Sequence, residues 1–169
     1  MSFSIRPCKP ADHDWVLQCE IDLQEHERAI HDTRLPGWPH TRDYLAMLWE
    51  HLAEGQGAML IAETPAGDRL GLVAGHIVDA PWPMESADST RYGYVSDIFV
   101  CPEARGTGVA QALLEAIANH LRAADPTLTR LRVNVLAGNA IARRSYEKAD
   151  FTPYEVMYER LLRPADPKP

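Results

Sequence analysis

Arg105, Gly106 and Gly108 stand between an apolar run, Tyr94-Val95-Ser96-Asp97-Ile98-Phe99-Val100, and an amphipathic stretch that opens at Val109. A strand that stops near Pro102, turns through glycines and enters a helix brings free backbone N–H groups and the positive end of a helix dipole to one spot. Such a spot holds an anion, above all a phosphate. Gly106 and Gly108 let the anion approach the backbone and accept angles closed to most residues. Arg105 adds a cation, and Ala110 keeps the first helical turn unobstructed. The spacing excludes two phosphate-binding signatures. There is no Gly-x-x-x-x-Gly-Lys-Ser/Thr, and Gln111 occupies the place of the third glycine of Gly-x-Gly-x-x-Gly. A module that binds ATP or NAD therefore fits this loop poorly.

Two further patterns accompany the loop. Arg105, Gly108 and Ala110 form Arg-x-x-Gly-x-Ala, preceded by Val100, Pro102 and Glu103 as Val-x-Pro-Glu. Downstream, Asn139 to Phe151 matches Asn-x-x-Ala-x-x-x-Tyr-x-x-x-Gly-Phe through Asn139, Ala142, Tyr146 and Phe151, with Asp150 in place of the glycine. Asp tolerates the left-handed conformation better than most residues, so a helix stop at Asp150 is expected to survive. With the opening Ile5-Arg6-Pro7-x-x-Pro10-Ala11-Asp12, these segments resemble the GCN5-related N-acetyltransferase (GNAT) superfamily over nearly the whole chain.

The resemblance implies acetyl-CoA as cofactor and a single GNAT-like α/β domain, with a mixed, mostly antiparallel sheet flanked by helices. It implies that the backbone of Arg105, Gly106, Thr107, Gly108, Val109 and Ala110 holds the CoA pyrophosphate. The strand ending at Phe99 and Val100 would pair with the pantetheine arm, and Asn139 and Tyr146 would contact CoA. The implied reaction is direct acetyl transfer, in a ternary complex, to a primary amine of a small molecule, peptide or protein. A GNAT-fold sensor that binds acyl-CoA without turnover would use the same loop and the same Asn139.

Acetyl transfer to an amine needs the amine neutral, the carbonyl polarised and the departing thiolate stabilised. Alkylamines have pKa values near 10, so a base or proton wire is useful at neutral pH. Tyr146 is the candidate general acid, since its phenol can donate to the thiolate and the family pattern places a tyrosine there. Asp97 is the candidate base on the central strand; a capping or salt-bridging carboxylate is the competing reading. Ser96 and Asp97 point to opposite faces unless a bulge intervenes. Glu85 and His76 are reserves, and His76 within a strand reads first as a satisfied sheet residue. Cys101 lacks a histidine partner nearby in sequence and reads as a small buried thiol. Trp38 and Trp82 either enclose an acceptor or pack a lid; Arg34 and Arg42 either bind an acceptor anion or form surface pairs.

The elements that must position these groups follow from patterning. Strands are expected at Ser4–Pro7, Ala58–Ala62, Leu70–Val78, Arg91–Val100 and Leu131–Val135, with one or two more between Phe151 and Leu162. Helices are expected from Asp12, with Val16, Leu17, Ile21 and Leu23 inward, and from Thr41, with Tyr44, Leu45, Leu48 and Leu52 inward. Further helices are expected over Val109–Leu121 and Asn139–Ala149. His31 to Pro39 and Ala80 to Thr90 read as irregular, and acceptor contacts are expected from His31 to Arg42 and from Ala80 to Thr90.

The 169 residues, 46% of them hydrophobic, suit one domain over 1–163 with a flexible tail at 164–169. A net charge of −7 argues against nucleic acid and mildly favours a cationic amine acceptor. No apolar run reaches the roughly 18–20 residues that span a membrane. Three cysteines without metal-ligand spacing point to a reduced, cytoplasmic protein with no bound metal; a homodimer is compatible with the pattern.

Overall fold

In a computed structural model of the protein, residues 2–162 are described. The boundary expected at residue 163, and the tail after it, lie outside them. The chain runs β1 (Ser4–Pro7), α1 (His13–Arg28), α2 (Gly37–Glu54), β2 (Ala58–Glu63), β3 (Arg69–Asp79), a single turn α3 (Ala87–Thr90), β4 (Arg91–Val100), α4 (Val109–Ala124), β5 (Leu131–Val133) and α5 (Ala140–Lys148). The sheet order is β1-β2-β3-β4-β5. The first three pairings are antiparallel and β4–β5 is parallel, so α4 is the crossover between parallel neighbours.

Both faces of the sheet are covered, which explains why β3 carries an almost continuous apolar run. Leu60, Ala62, Val73 and Val95 face α4, whose Val109, Leu113, Ile117 and Leu121 are buried against them. The alternate residues Met59, Ile61, Leu72 and Ala74 face α1 and α2, meeting Val16, Leu45, Leu48 and Leu52. The two-residue period of the strands therefore builds two cores from one sheet.

Several local features differ from the sequence-based expectation. Asp12 does not cap α1 through its side chain. Its carboxylate instead accepts from Arg6 at 2.7 and 3.1 Å, from Arg69 at 2.8 Å and from the Lys9 N–H at 2.9 Å. Thr41 does not start α2; its hydroxyl donates to the Gly37 carbonyl from inside the helix at 2.8 Å. The early start carries a break at Trp38 (φ −94°, ψ 136°), the residue before Pro39, where the proline ring disfavours the helical conformation. On α1 the buried positions are Val16, Cys19 and Glu20, with Leu17, Ile21 and Leu23 only half-buried.

The largest difference lies after Phe151. The strands expected between Phe151 and Leu162 do not form; these residues are irregular and most are exposed. A strand persists only where a neighbour completes its ladder, and β5, three residues long, pairs with β4 alone.

Asp12 is 2% exposed and ties β1 to β3. Hydrogen bonds from Arg6, ahead of those from Lys9 and Arg69, hold its carboxyl well below the usual carboxylate range. Its stabilising effect is complete above the unfolded-state pKa near 3.9 and is lost as pH falls below that value. Asp12→Ala leaves two arginines without their shared partner and is expected to cost about 3 kcal/mol, or roughly 10 °C in Tm at pH 7. Thermal melts at pH 7 and pH 3 check this: the gap between wild type and variant should narrow at the lower pH.

Candidate active site

β4 and β5 are paired only at Gly93–Leu131, Tyr94–Arg132 and Val95–Val133. β4 continues to Val100 while β5 stops, and the strands part into a wedge. The wedge opens a cleft of about 850 Å³. Ser96 to Val100 form one wall, Val133 to Val135 and α5 another, and the N-terminus of α4 closes the end.

The end of the cleft is built for an anion. After the 3-10 turn Pro102–Ala104 the chain passes through Gly106 (φ 77°) and Gly108 (φ 89°), both left-handed conformations that favour glycine. A Cβ at either glycine would meet no atom within 4 Å, so both face open space. The first α4 hydrogen bond runs from Ala112 N–H to the Gly108 carbonyl. The N–H groups of Val109, Ala110 and Gln111 therefore stand outside the helical ladder. Arg105 lines the cleft with its Nε donating to the Val100 carbonyl at 3.2 Å. A diphosphate fits this donor set: free amides, a helix dipole and one guanidinium.

On the opposite wall, Asn139 caps α5 by accepting from Ala142 N–H at 3.1 Å. Asp150 ends that segment in the left-handed region (φ 63°), as its place in the motif led one to expect. Tyr146 faces the cleft from the last turns of α5, its ring 5.8 Å from Phe151. Burial, then the charges of Glu27 and Asp97, push its phenol up to about 12. It is therefore a protonated donor throughout the neutral range.

The bulge that would turn both Ser96 and Asp97 to the cleft is present. Ala74 pairs with Asp97 and Gly75 with Val95, leaving Ser96 as the extra residue, and both line the cleft. Tyr44 donates a short hydrogen bond to Asp97 Oδ2 from α2. Burial, opposed by that bond and reinforced by Glu27, lifts Asp97 from 3.8 to about 6. Glu20, on α1, is 3% exposed, and its Oε1 has no hydrogen-bond partner among the described residues. Burial first, then the charges of Asp97 and Glu27, raise it well above the usual carboxylate range. Two carboxyls so placed do not both ionise readily, and Glu20 is the one held neutral.

Every residue expected at the site lines this cleft except Thr107, whose hydroxyl turns back to the Ala104 carbonyl at 2.6 Å. The reserves behave differently. His76 touches Ser96 through Nδ1 at 3.1 Å; burial, then the nearby His51, push its pKa down. Glu85 accepts from Ser89 away from the cleft. Cys101 is buried, and burial raises its thiol pKa. Trp38 and Trp82 are exposed, with Arg42 stacked 5.7 Å over Trp38. Arg34 pairs at 2.8 Å with Glu27, which lines the cleft.

Tyr44, Glu20 and Glu27 are the residues that sequence reasoning missed. One signal was available for Glu20. It follows Val16 by four positions and falls on the buried face of α1, where an acid needs a reason.

A strand-split wedge, a glycine-opened helix N-terminus and a capped helix carrying Tyr146 bring an anion-binding loop, a phenol and the Asp97 carboxyl to one cleft. The chain matches the acetyltransferase (GNAT) family over residues 21–151 and belongs to it. Its fold is similar to that of AAC(6')-Ih, an aminoglycoside antibiotic 6'-N-acetyltransferase from Acinetobacter baumannii, with 18% identity, 95% of this chain and 99% of that one covered, and a TM-score of 0.67. It is also similar to a predicted acetyltransferase from Clostridium acetobutylicum solved with acetyl-CoA, with 19% identity, 95% and 96% covered, and a TM-score of 0.71. AAC(6')-Iy, solved with the bisubstrate analogue CoA-S-monomethyl-acetylneamine, shares 21% identity over 96% and 99% of the two chains, with a TM-score of 0.65. No curated protein matches the chain significantly. Among the described residues no helix is long and apolar enough to cross a membrane.

Proposed function

We propose that the protein is an acetyl-CoA-dependent N-acetyltransferase that transfers its acetyl group directly to a primary amine. One observation carries the reading: a proton acceptor and a proton donor, Asp97 and Tyr146, line the same cleft as the anion-binding loop. Bound acetyl-CoA supplies the activated thioester. The amides of Val109, Ala110 and Gln111, with Arg105, would hold its diphosphate, and the edge of β4 at Phe99 and Val100 that β5 leaves uncovered would receive its pantetheine arm. Asn139 keeps α5 against the cleft.

The acceptor arrives as a cation. The ionised Asp97 draws an ammonium into the cleft, and the chain's net charge of −7 favours its approach. Asp97 takes up the ammonium's proton and frees the lone pair that attacks the thioester carbonyl; the attacking nitrogen's second proton leaves with the sulfur as the C–S bond breaks, giving amide and thiol, while Tyr44 keeps the carboxylate oriented. Tyr146 O–H donates a hydrogen bond that strengthens as charge builds on the departing sulfur. Holding the two reactants together makes a covalent enzyme intermediate unnecessary. The structural neighbours include an aminoglycoside 6'-N-acetyltransferase and a complex with an acetylneamine analogue; aminoglycosides are polyamines, and a small polyamine is the acceptor class this similarity favours. Three free cysteines support a reducing, cytoplasmic setting.

Thiol release from acetyl-CoA, measured across a panel of aminoglycosides, polyamines, amino acids and peptide N-termini, tests the reading. Amine-dependent release is expected, strongest for polycations. Tight CoA binding with no release for any amine would instead identify a sensor that binds without turnover.

A further inference from the structure

The charged side chains that line the cleft are segregated. Arg105, Arg144 and Lys148 come from the glycine loop and α5, whereas Asp22, Glu27 and Asp97 come from α1 and β4. The basic side suits the phosphates of CoA, which leaves the acidic side to the acceptor. Of its three carboxylates, Asp22 accepts from Gln18 on its own helix at 2.8 Å, and Asp97 accepts from Tyr44. Among the described residues Glu27 is the one of the three held by a cation. The Arg34 Nε lies 2.8 Å from Glu27 Oε2.

Arg34 does not line the cleft; it reaches Glu27 from the segment between α1 and α2. That segment is tied down on either side of it. Gln24 Nε2 donates to the Leu35 carbonyl at 2.8 Å, and Gly37 N–H donates to Glu25 Oε1 at 2.7 Å. The ion pair itself is held less firmly. Its side chains are 41% and 26% exposed, so water and salt screen it and it contributes little. A guanidinium resting so loosely on a cleft carboxylate can be replaced by another cation.

Glu27 also stands close to the chemistry. Burial and then the Glu27 charge raise the Tyr146 phenol, and the same charge adds to the burial that raises Asp97. Charges in a solvated cleft act over about 10 Å. Glu27 and Asp97 are therefore separated by no more than a short carbon chain spans.

We infer that Arg34 is a built-in stand-in for a second acceptor cation. It covers Glu27 in the free protein, and a diamine that presents one nitrogen to Asp97 sets the other on Glu27 in its place. A monoamine leaves the Arg34–Glu27 pair as it is and gains nothing from Glu27. An acceptor with a carboxylate at its far end meets like charge there and is disfavoured. The inference rests on the acetyltransferase reading and narrows its acceptor to amines that carry a second cationic nitrogen at short range.

Three acceptors of one length test it: 1,4-diaminobutane, butylamine and 4-aminobutanoate, assayed by thiol release from acetyl-CoA at pH 8. The diamine is expected to show a kcat/KM about 10-fold above butylamine, with 4-aminobutanoate lowest. Arg34→Ala should raise the diamine-to-butylamine ratio about threefold, through a lower KM for the diamine. Glu27→Gln should bring the ratio close to one. A purely structural ion pair would shift all three acceptors alike and leave the ratio where it was. A wild-type ratio near one, a preference for 4-aminobutanoate, or a ratio that neither variant moves overturns the inference, while turnover of butylamine leaves the acetyltransferase reading standing. No release with any amine would overturn that reading and this inference with it.

Discussion

Tyr146→Phe is expected to lower kcat about 100-fold while leaving the affinity for CoA within about twofold of wild type. The variant removes one oxygen and keeps the ring that packs on Phe151, so the cleft retains its shape. Burial has pushed the phenol up to about 12, well above a thiol near 8.5. Complete proton transfer to sulfur would run uphill. The phenol serves instead as a donor whose hydrogen bond is strongest when the sulfur carries charge, which is the condition for accelerating the step rather than tightening binding. The kcat effect should therefore be nearly constant between pH 6 and pH 9, below the range where the phenol itself ionises. Steady-state kinetics with a competent amine, alongside calorimetry with CoA, separates the two parameters. Unchanged turnover would mean that another group meets the sulfur and would end the assignment of Tyr146.

Asp97→Asn should have an effect of similar size with a different signature. Loss of the base is expected to reduce kcat/KM about 100-fold at neutral pH. In the wild type, kcat/KM should fall below about pH 6 as Asp97 takes up a proton, and the variant should lack that limb. Stability should move the other way. The folded protein holds the Asp97 proton up to about pH 6, whereas the unfolded chain releases it near pH 4. Asp97 therefore lowers stability progressively as pH rises between these values, by up to about 3 kcal/mol above them. The variant should melt a few degrees higher than wild type at pH 8 and no higher at pH 4. A wild type whose activity ignores pH between 5 and 7 would remove Asp97 as the base. A higher melting temperature with lost activity would mark a site where function is held at the expense of stability.

The anion-binding loop and the helix bearing Tyr146 are carried by local patterns. Gly106, Gly108 and Arg105 lie consecutively around one turn, and Asn139, Tyr146 and Asp150 along one short helix, so spacing within each segment already implies the geometry the structure displays. The strand and helix order followed for the same reason, because periods of two and 3.6 residues are local properties. Ser96 and Asp97 required more. Whether both could face the cleft depended on a bulge, and a bulge is a mismatch between β4 and β3 that neither strand records by itself.

The remainder is long-range. Asp97 could be a base or a salt-bridge partner by type alone; it reaches Tyr44, 53 residues away, through the packing of α2 on the sheet. Glu20 acquires its meaning only because α1 lies over β4 and removes water from its carboxyl, and Glu27 only because the same helix brings it to the cleft. Asp12, expected to cap a helix, was drawn to Arg69 by the pairing of β1, β2 and β3, since two guanidiniums outweigh one backbone amide. The segment from Tyr154 to Leu162 has a strand's alternation but pairs with no strand among the described residues, because a strand needs an edge and local sequence does not say where that edge lies. By itself, then, the sequence determined the anion-binding loop, the helix bearing Tyr146 and the order of elements. The tertiary structure alone decided which carboxylate is poised to accept a proton, because desolvation and neighbouring charge are set by residues far away in the chain.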